Sequence, residues 1–201
     1  MSDRFYRRVR ALSRPVLRGW FRLSTSGLAH IPRDGPCLVV ANHSSYLDPA
    51  VLGRACPRKV HFLIRREVFD CAGLTWFFRR MDTIPVSLDR NDAGALKAAL
   101  RRLEDGRVVG VFPEGGRSAD GELAEAKIGA ALLAARTGCP VVAAGIRGAR
   151  AAMPVGAWLP RPRRIEVIFG HPFTVPAGRG RGHKARLTRV TDDMMSRIDA
   201  L

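Results

Sequence analysis

The chain has 201 residues, 46% of them hydrophobic, enough to bury one sizeable core and short for two independent ones. Its 34 Lys+Arg against 18 Asp+Glu give a formal net charge of +16, which points to polyanionic partners: nucleic acid, an anionic membrane surface or phosphorylated substrates. The four cysteines form no Cys-x-x-Cys pair and the five histidines show no zinc- or iron-site spacing, so no metal is implied and a reducing, cytosolic environment is favoured.

The N-terminal segment is basic but lacks the apolar core and cleavage site of a signal peptide, and no window reaches the ~18–20 apolar residues of a membrane span. The expectation is a protein that does not cross a bilayer. Residues 4–23 place Phe5, Val9, Leu12, Val16 and Trp20 at helical spacings, with arginines over most of the remaining circumference. That pattern predicts an amphipathic basic helix with a kink at Pro15. It suits a helix lying in the membrane interface, apolar face down and arginines on lipid headgroups. An ordinary surface helix packed on the domain would carry the same pattern.

From residue 37 onward, short β-branched runs at 37–41, 60–64, 83–86, 108–112, 141–146 and 165–169 read as strands. Between them, 93–103 and 122–137 have helical composition, the second closed by Gly138 and Pro140. Residues 147–164, with Pro154, Pro160 and Pro162, read as a loop or short excursion, and 178–184 as a flexible basic loop. Leu187, Val190, Met194, Ile198 and Leu201 mark one face of a closing helix. The predicted fold is α/β: a single domain with a largely parallel central sheet flanked by helices, plus the N-terminal amphipathic helix. In such sheets functional residues gather at the carboxyl ends of the strands.

Two motifs fall at that edge. Asn42-His43-Ser44-Ser45-Tyr46-Leu47-Asp48-Pro49 follows the run 37–41, and Pro113-Glu114-Gly115-Gly116-Arg117-Ser118 follows 108–112. On one helix, His43 and Asp48 would sit ~140° apart and could not meet. With His43 in the loop and Asp48 as the N-cap of the next helix, Pro49 at its first position, the loop can fold back until carboxylate meets imidazole. Asp48 then fixes the tautomer and stabilises the imidazolium, leaving the other ring nitrogen to take a proton from a hydroxyl. With no serine in the set, the substrate's own alcohol is the nucleophile and attacks an acyl thioester directly. Gly115-Gly116 lets main-chain N–H groups approach an anion, and Arg117 adds a forked donor suited to phosphate. Glu114 would hold that arginine or accept from a substrate hydroxyl. Taken singly, His43 reads as a backbone-satisfied loop histidine, Asp48 as a plain cap and the Gly-Gly pair as a turn.

Together, Asn42-His43-x-x-x-x-Asp48-Pro49 and Phe112-Pro113-Glu114-Gly115-Gly116-Arg117-Ser118 closely resemble the blocks of the glycerolipid acyltransferases, in particular the 1-acyl-sn-glycerol-3-phosphate acyltransferases. The resemblance runs along most of the chain: Phe62 to Phe69, Ile84-Pro85-Val86 with Arg90, Lys127-x-Gly129-Ala130, Pro140-Val141-Val142 and Phe169-Gly170-His171-Pro172-Phe173 are similar to further family segments. It implies His43 as general base, Asp48 as its orienter, and Glu114, Gly115, Gly116 and Arg117 as the grip on the acceptor's phosphate, with Arg90 as a second phosphate contact. Gly116 stands where the family usually has Thr, and Ala143 where many members have a proline.

The implied reaction moves a fatty acyl group to the free hydroxyl of 1-acyl-glycerol-3-phosphate in phospholipid biosynthesis. The co-substrate is acyl-CoA or acyl carrier protein, and no further cofactor is expected. Residues 1–26 are expected to be the membrane-interface anchor and 27–201 the acyltransferase domain, bound peripherally to the cytoplasmic face of an anionic membrane. The alternatives are a different lysolipid or amino-acid lipid acceptor, or a non-catalytic basic membrane-surface protein. A nucleic-acid partner is not expected, since the charge comes with no helix-turn-helix, zinc finger or aromatic-basic signature.

Overall fold

The centre of the sheet is the strand β2, Cys37–Ala41, whose five residues are all fully buried. Alternation along a strand sends Cys37, Val39 and Ala41 into one core and Leu38 and Val40 into another on the opposite face. A strand covered on both faces reads as an unbroken apolar run, and this one does. The computed structural model describes residues 2–87, 92–116, 126–176 and 183–201.

In chain order, α1 (Ser2–Pro15) continues into a π-helical turn (Val16–Trp20), followed by β1 (Ser24–Ser26) and β2. Next come α2 (Asp48–Ala55), β3 (Val60–Arg65), the short helices α3 (Arg66–Phe69) and α4 (Thr75–Met81), β4 (Ile84–Val86), α5 (Ala93–Glu104) and β5 (Val108–Val111). The chain continues through α6 (Gly129–Thr137), β6 (Val141–Arg147), α7 (Ala149–Ala152), β7 (Glu166–Phe169) and α8 (His183–Asp199). The sheet order is β1-β7-β6-β2-β5-β3-β4. Every pairing is parallel except that between β6 and β7. The α/β architecture with a largely parallel sheet is therefore as expected. Residues of α2, α7 and the N-terminal segment cover one face, and α5, α6 and α8 the other.

Several local expectations change. The strand β1 was not anticipated, because Ser-Thr-Ser carries no apolar signal; it pairs with β7 from Ser24 to Ser26. The sheet thus begins before the division drawn at residue 26. Within the segment 122–137, residues 122–125 lie outside the described residues and the helix begins only at Gly129, since the Lys127 amide is bonded to the Pro113 carbonyl at 2.8 Å. The kink at Pro15 takes the form of a π turn: the ring removes a donor and clashes with the preceding turn. The Phe21 amide accordingly bonds five residues back, to the Val16 carbonyl. Of the basic loop 178–184, residues 178–182 lie outside the described residues.

The N-terminal helix packs on the domain, but only partly through the stripe that periodicity picks out. Tyr6 and Leu17 are the buried residues, with the Tyr6 hydroxyl donating to the Gly53 carbonyl at 3.0 Å. Phe5 meets Trp76 edge-to-face, ring centroids 5.3 Å apart. Leu12, Val16 and Trp20 of the same stripe remain 76%, 53% and 50% exposed. Among the described residues, no helix is long and apolar enough to cross a membrane.

Candidate active site

The carboxyl ends of β2 and β5 lie side by side, since Val40 pairs with Val111. The loops leaving them therefore meet. Asn42 turns its side chain across to β6, its Nδ2 donating to the Ile146 carbonyl at 3.0 Å while its Oδ1 accepts the Ile146 amide at 2.7 Å. This amide pair extends the strand pairing by one residue and fixes where the chain leaves the sheet.

His43 comes next, and both its main chain and its ring are held. Its amide donates to Glu114 Oε1 at 2.7 Å, and its Nδ1 is 2.9 Å from Asp48 Oδ2. The same Oδ2 accepts the amides of Ser44 and Ser45, each at 2.7 Å. Asp48 is fully buried. The loop is thus wound around one carboxylate, which is how residues five positions apart come into contact. The expected N-cap is shifted by one: Leu47 occupies that position, and the Asp48 carboxylate faces the loop rather than the helix amides. Pro49 does stand in the first turn.

With a carboxylate as acceptor, Nδ1 carries the hydrogen and Nε2 keeps its lone pair. The ring stacks on Phe112 at 4.3 Å between centroids and 21° between planes, and Phe112 stacks in turn on Phe62 at 5.9 Å. Packing and hydrogen bond together allow the imidazole one orientation. Beside it opens a groove of about 1390 Å³, whose wall includes His43, Phe62, Phe112, Gly115, Gly116 and Lys127. The Nε2 edge has no protein partner among the described residues and is the nitrogen left for a ligand.

The second motif reaches the same groove. Gly115 has a φ of +68° and its amide bonds the Phe112 carbonyl at 3.1 Å, a tight turn that favours glycine. Gly116 is not in the left-handed region, and a Cβ there would meet nothing within 4 Å among the described residues. Glu114 is buried, and its contact with the His43 amide makes it a strut between the two motifs. Arg117 and Arg90 lie outside the described residues.

The sequence reasoning missed four participants: Asn42, Phe112, Lys127 and Ser45, whose hydroxyl donates to the Met153 carbonyl at 2.9 Å. All four lay within the quoted motifs, but their contacts depend on how distant segments are brought together, which no linear spacing carries. Among the described residues, no cluster of His, Cys, Asp or Glu has metal-binding geometry.

The family profile described as Acyltransferase matches residues 22–147, a span that contains both motifs. The chain belongs to the acyltransferase family. It is 25% identical over 173 residues to the 1-acyl-sn-glycerol-3-phosphate acyltransferase of Bacillus subtilis, covering 86% of this acyltransferase and 84% of the relative. It is 33% identical over 141 residues to the chloroplastic 1-acyl-sn-glycerol-3-phosphate acyltransferase BAT2 of Brassica napus, covering 69% of this chain but 41% of the plant protein. Against the crystal structure of the 1-acyl-sn-glycerophosphate acyltransferase PlsC of Thermotoga maritima the TM-score is 0.76 at 24% identity, covering 100% of this chain and 81% of that one. That likeness establishes the fold the acyltransferase shares with it.

Proposed function

We propose that the protein transfers a fatty acyl group from an acyl thioester to the free hydroxyl of 1-acyl-glycerol-3-phosphate, with His43 as general base. The observation that carries this reading is the buried Asp48 carboxylate holding Nδ1 of His43 at 2.9 Å on the wall of the groove. The acceptor hydroxyl gives its proton to Nε2 as its oxygen attacks the thioester carbonyl. The carbon–sulfur bond breaks as the ester forms, and the imidazolium returns the proton to the departing thiolate. Asp48 stabilises the charged ring between these steps. No acyl-enzyme is required, and the donor, acyl-CoA or acyl carrier protein, serves as co-substrate with no further cofactor.

The acceptor's phosphate is held by Gly115, Gly116 and Arg117, with Arg90 as a second contact, and Glu114 positions the His43 loop. The acceptor named for the Bacillus subtilis and Brassica napus relatives supports the choice of lysophosphatidic acid. The enzyme works peripherally at the cytoplasmic face of a membrane, residues 1–26 serving as anchor and 27–201 as acyltransferase domain. Supporting this are Leu12, Val16 and Trp20, exposed on one stretch of the N-terminal segment. A second apolar tip, Trp158 and Leu159 at 88% and 70% exposed, stands beside Arg161, Arg163 and Arg164.

The acceptor is tested by initial rates with lysophosphatidic acid, lysophosphatidylcholine and an amino-acid lysolipid. Lysophosphatidic acid is expected to give the highest kcat/KM, and Arg117→Ala to raise its KM while leaving kcat nearly unchanged. Preference for a different acceptor, or an unmoved KM, would contradict the assignment.

A further inference from the structure

The groove has a second charged end, away from the proton transfer at His43. Along α2, Pro49, Ala50, Gly53 and Arg54 lie on one side and line the groove from the His43 loop to the helix's last turn. Ala50 is the exposed residue of this wall; Gly53 is buried beneath Phe62 and Tyr6, whose side chains lie 3.4 Å from where its Cβ would stand. At its far end Arg54 meets α1. Arg10 donates to the Arg54 and Pro57 carbonyls, both at 3.2 Å, and Arg14 in α1 and Arg18 in the π turn lie near enough to act on Arg54 as like charges. Arg10 and Ser13 also face the groove.

None of these arginines has a carboxylate partner among the described residues, and the buried Nε of Arg54 has no hydrogen-bond partner. Burial, then the like charges of Arg10, Arg18 and Arg14, hold the Arg54 guanidinium below its usual range. Like charges gathered at the end of a groove are unfavourable until an anion joins them. From Asp48 to Arg54 is about 9 Å of helix. A glycerol phosphate whose hydroxyl sits at His43 carries its phosphate only a few bonds away, a shorter reach than that span. A thioester donor differs, because its phosphate lies at the far end of a long, slender arm.

We propose that Arg10, Arg14, Arg18 and Arg54 form the binding site for the phosphate of the donor's thioester arm, with the groove wall between α1 and α2, from Ala50 to Arg10, as the track along which the arm lies. The proposal rests on the acyl-transfer reading for the direction of the arm, but the site itself can be tested without turnover. Coenzyme A and acyl carrier protein bearing its phosphopantetheine arm both present this chemistry. Each is titrated calorimetrically into the full chain, into Arg14→Gln/Arg18→Gln/Arg54→Gln, and into Arg14→Glu/Arg18→Glu. The second variant changes only exposed residues and keeps the test open should the first not fold.

The wild type is expected to bind at least one of the two donors, and the variants to bind it roughly ten- to a hundred-fold more weakly. Binding of coenzyme A identifies a nucleotide-bearing donor; binding of the armed carrier alone identifies the protein donor. Either sustains the site, even if no acyl transfer is then found, an outcome that would remove the reaction and keep the pocket. Equal affinity of variants and wild type for both probes, or no binding by the wild type, overturns it. So does a loss of binding to phosphatidylglycerol–phosphatidylcholine vesicles with donor affinity unchanged, which would give the arginines to lipid headgroups.

Discussion

At His43 the amide is fixed by one motif, through Glu114, and the ring by the other, through Asp48. The pairing of His43 with Asp48 was legible in the sequence, because five residues of loop and an Asp-Pro helix start leave few ways to close. The ring's stacking on Phe112 was not, because it requires β2 and β5 to be neighbours. The two glycines, alike on paper, differ in fact. Gly116→Thr restores the residue the family usually carries, has room for its Cβ among the described residues, and is expected to leave the melting temperature unchanged while lowering the acceptor KM. Gly115→Ala forces a Cβ into the left-handed region and should cost about 1–2 kcal/mol in a denaturant titration.

His61 gives a pH-dependent term. Burial holds its pKa below the usual value and outweighs the neighbouring Asp82, whose carbonyl takes the Nδ1 hydrogen at 3.1 Å while Nε2 is buried without a partner. The folded protein keeps this ring neutral. As pH falls below about 6.5 the unfolded chain takes up a proton that the folded one refuses, so stability is full above that pH and declines beneath it. Melting temperature should fall between about pH 7.5 and 5.5, and less steeply in His61→Gln. Equal slopes would exclude His61 as a contributor.

Among the elements, the runs at 37–41 and 108–112 were readable because parallel strands buried on both faces are continuously apolar. Their order was not, since it depends on crossovers, and β1 escaped because its hold on the sheet is backbone pairing with β7. The glycine in β5 shows how closely the strands under the site are fitted. A Cβ on Gly110 would come within 2.6 Å of Val60 and 2.7 Å of Phe62, the ring behind Phe112 and His43. Gly110→Ala is therefore expected to destabilise by about 1–3 kcal/mol and to lower turnover by displacing that stack. A folded, fully active variant would mean that the ring stack does not set the position of His43.

For the whole molecule, a net charge of +16 left nucleic acid, membrane and phosphorylated ligands equally open, and only the two motifs chose among them. The N-terminal helix was legible as amphipathic, but its division of labour was not. Tyr6 and Leu17 hold it to the domain while Leu12, Val16 and Trp20 face outward. If this outward stripe is the anchor, Leu12→Glu/Val16→Glu should reduce sedimentation with phosphatidylglycerol vesicles at least ten-fold without lowering the melting temperature. Wild-type binding should weaken with added salt, as attraction worth ~1 kcal/mol per basic residue near the surface is screened.

The central claim is that His43 is the base in acyl transfer to lysophosphatidic acid. Its most direct test is thiol release from oleoyl coenzyme A and from oleoyl acyl carrier protein, each with and without lysophosphatidic acid, by the wild type and by His43→Ala. The account predicts release from at least one donor that depends on the acceptor and falls by about 10²–10⁴-fold in the variant. Acceptor-dependent release that survives in His43→Ala, or none from either donor in the wild type, would contradict it.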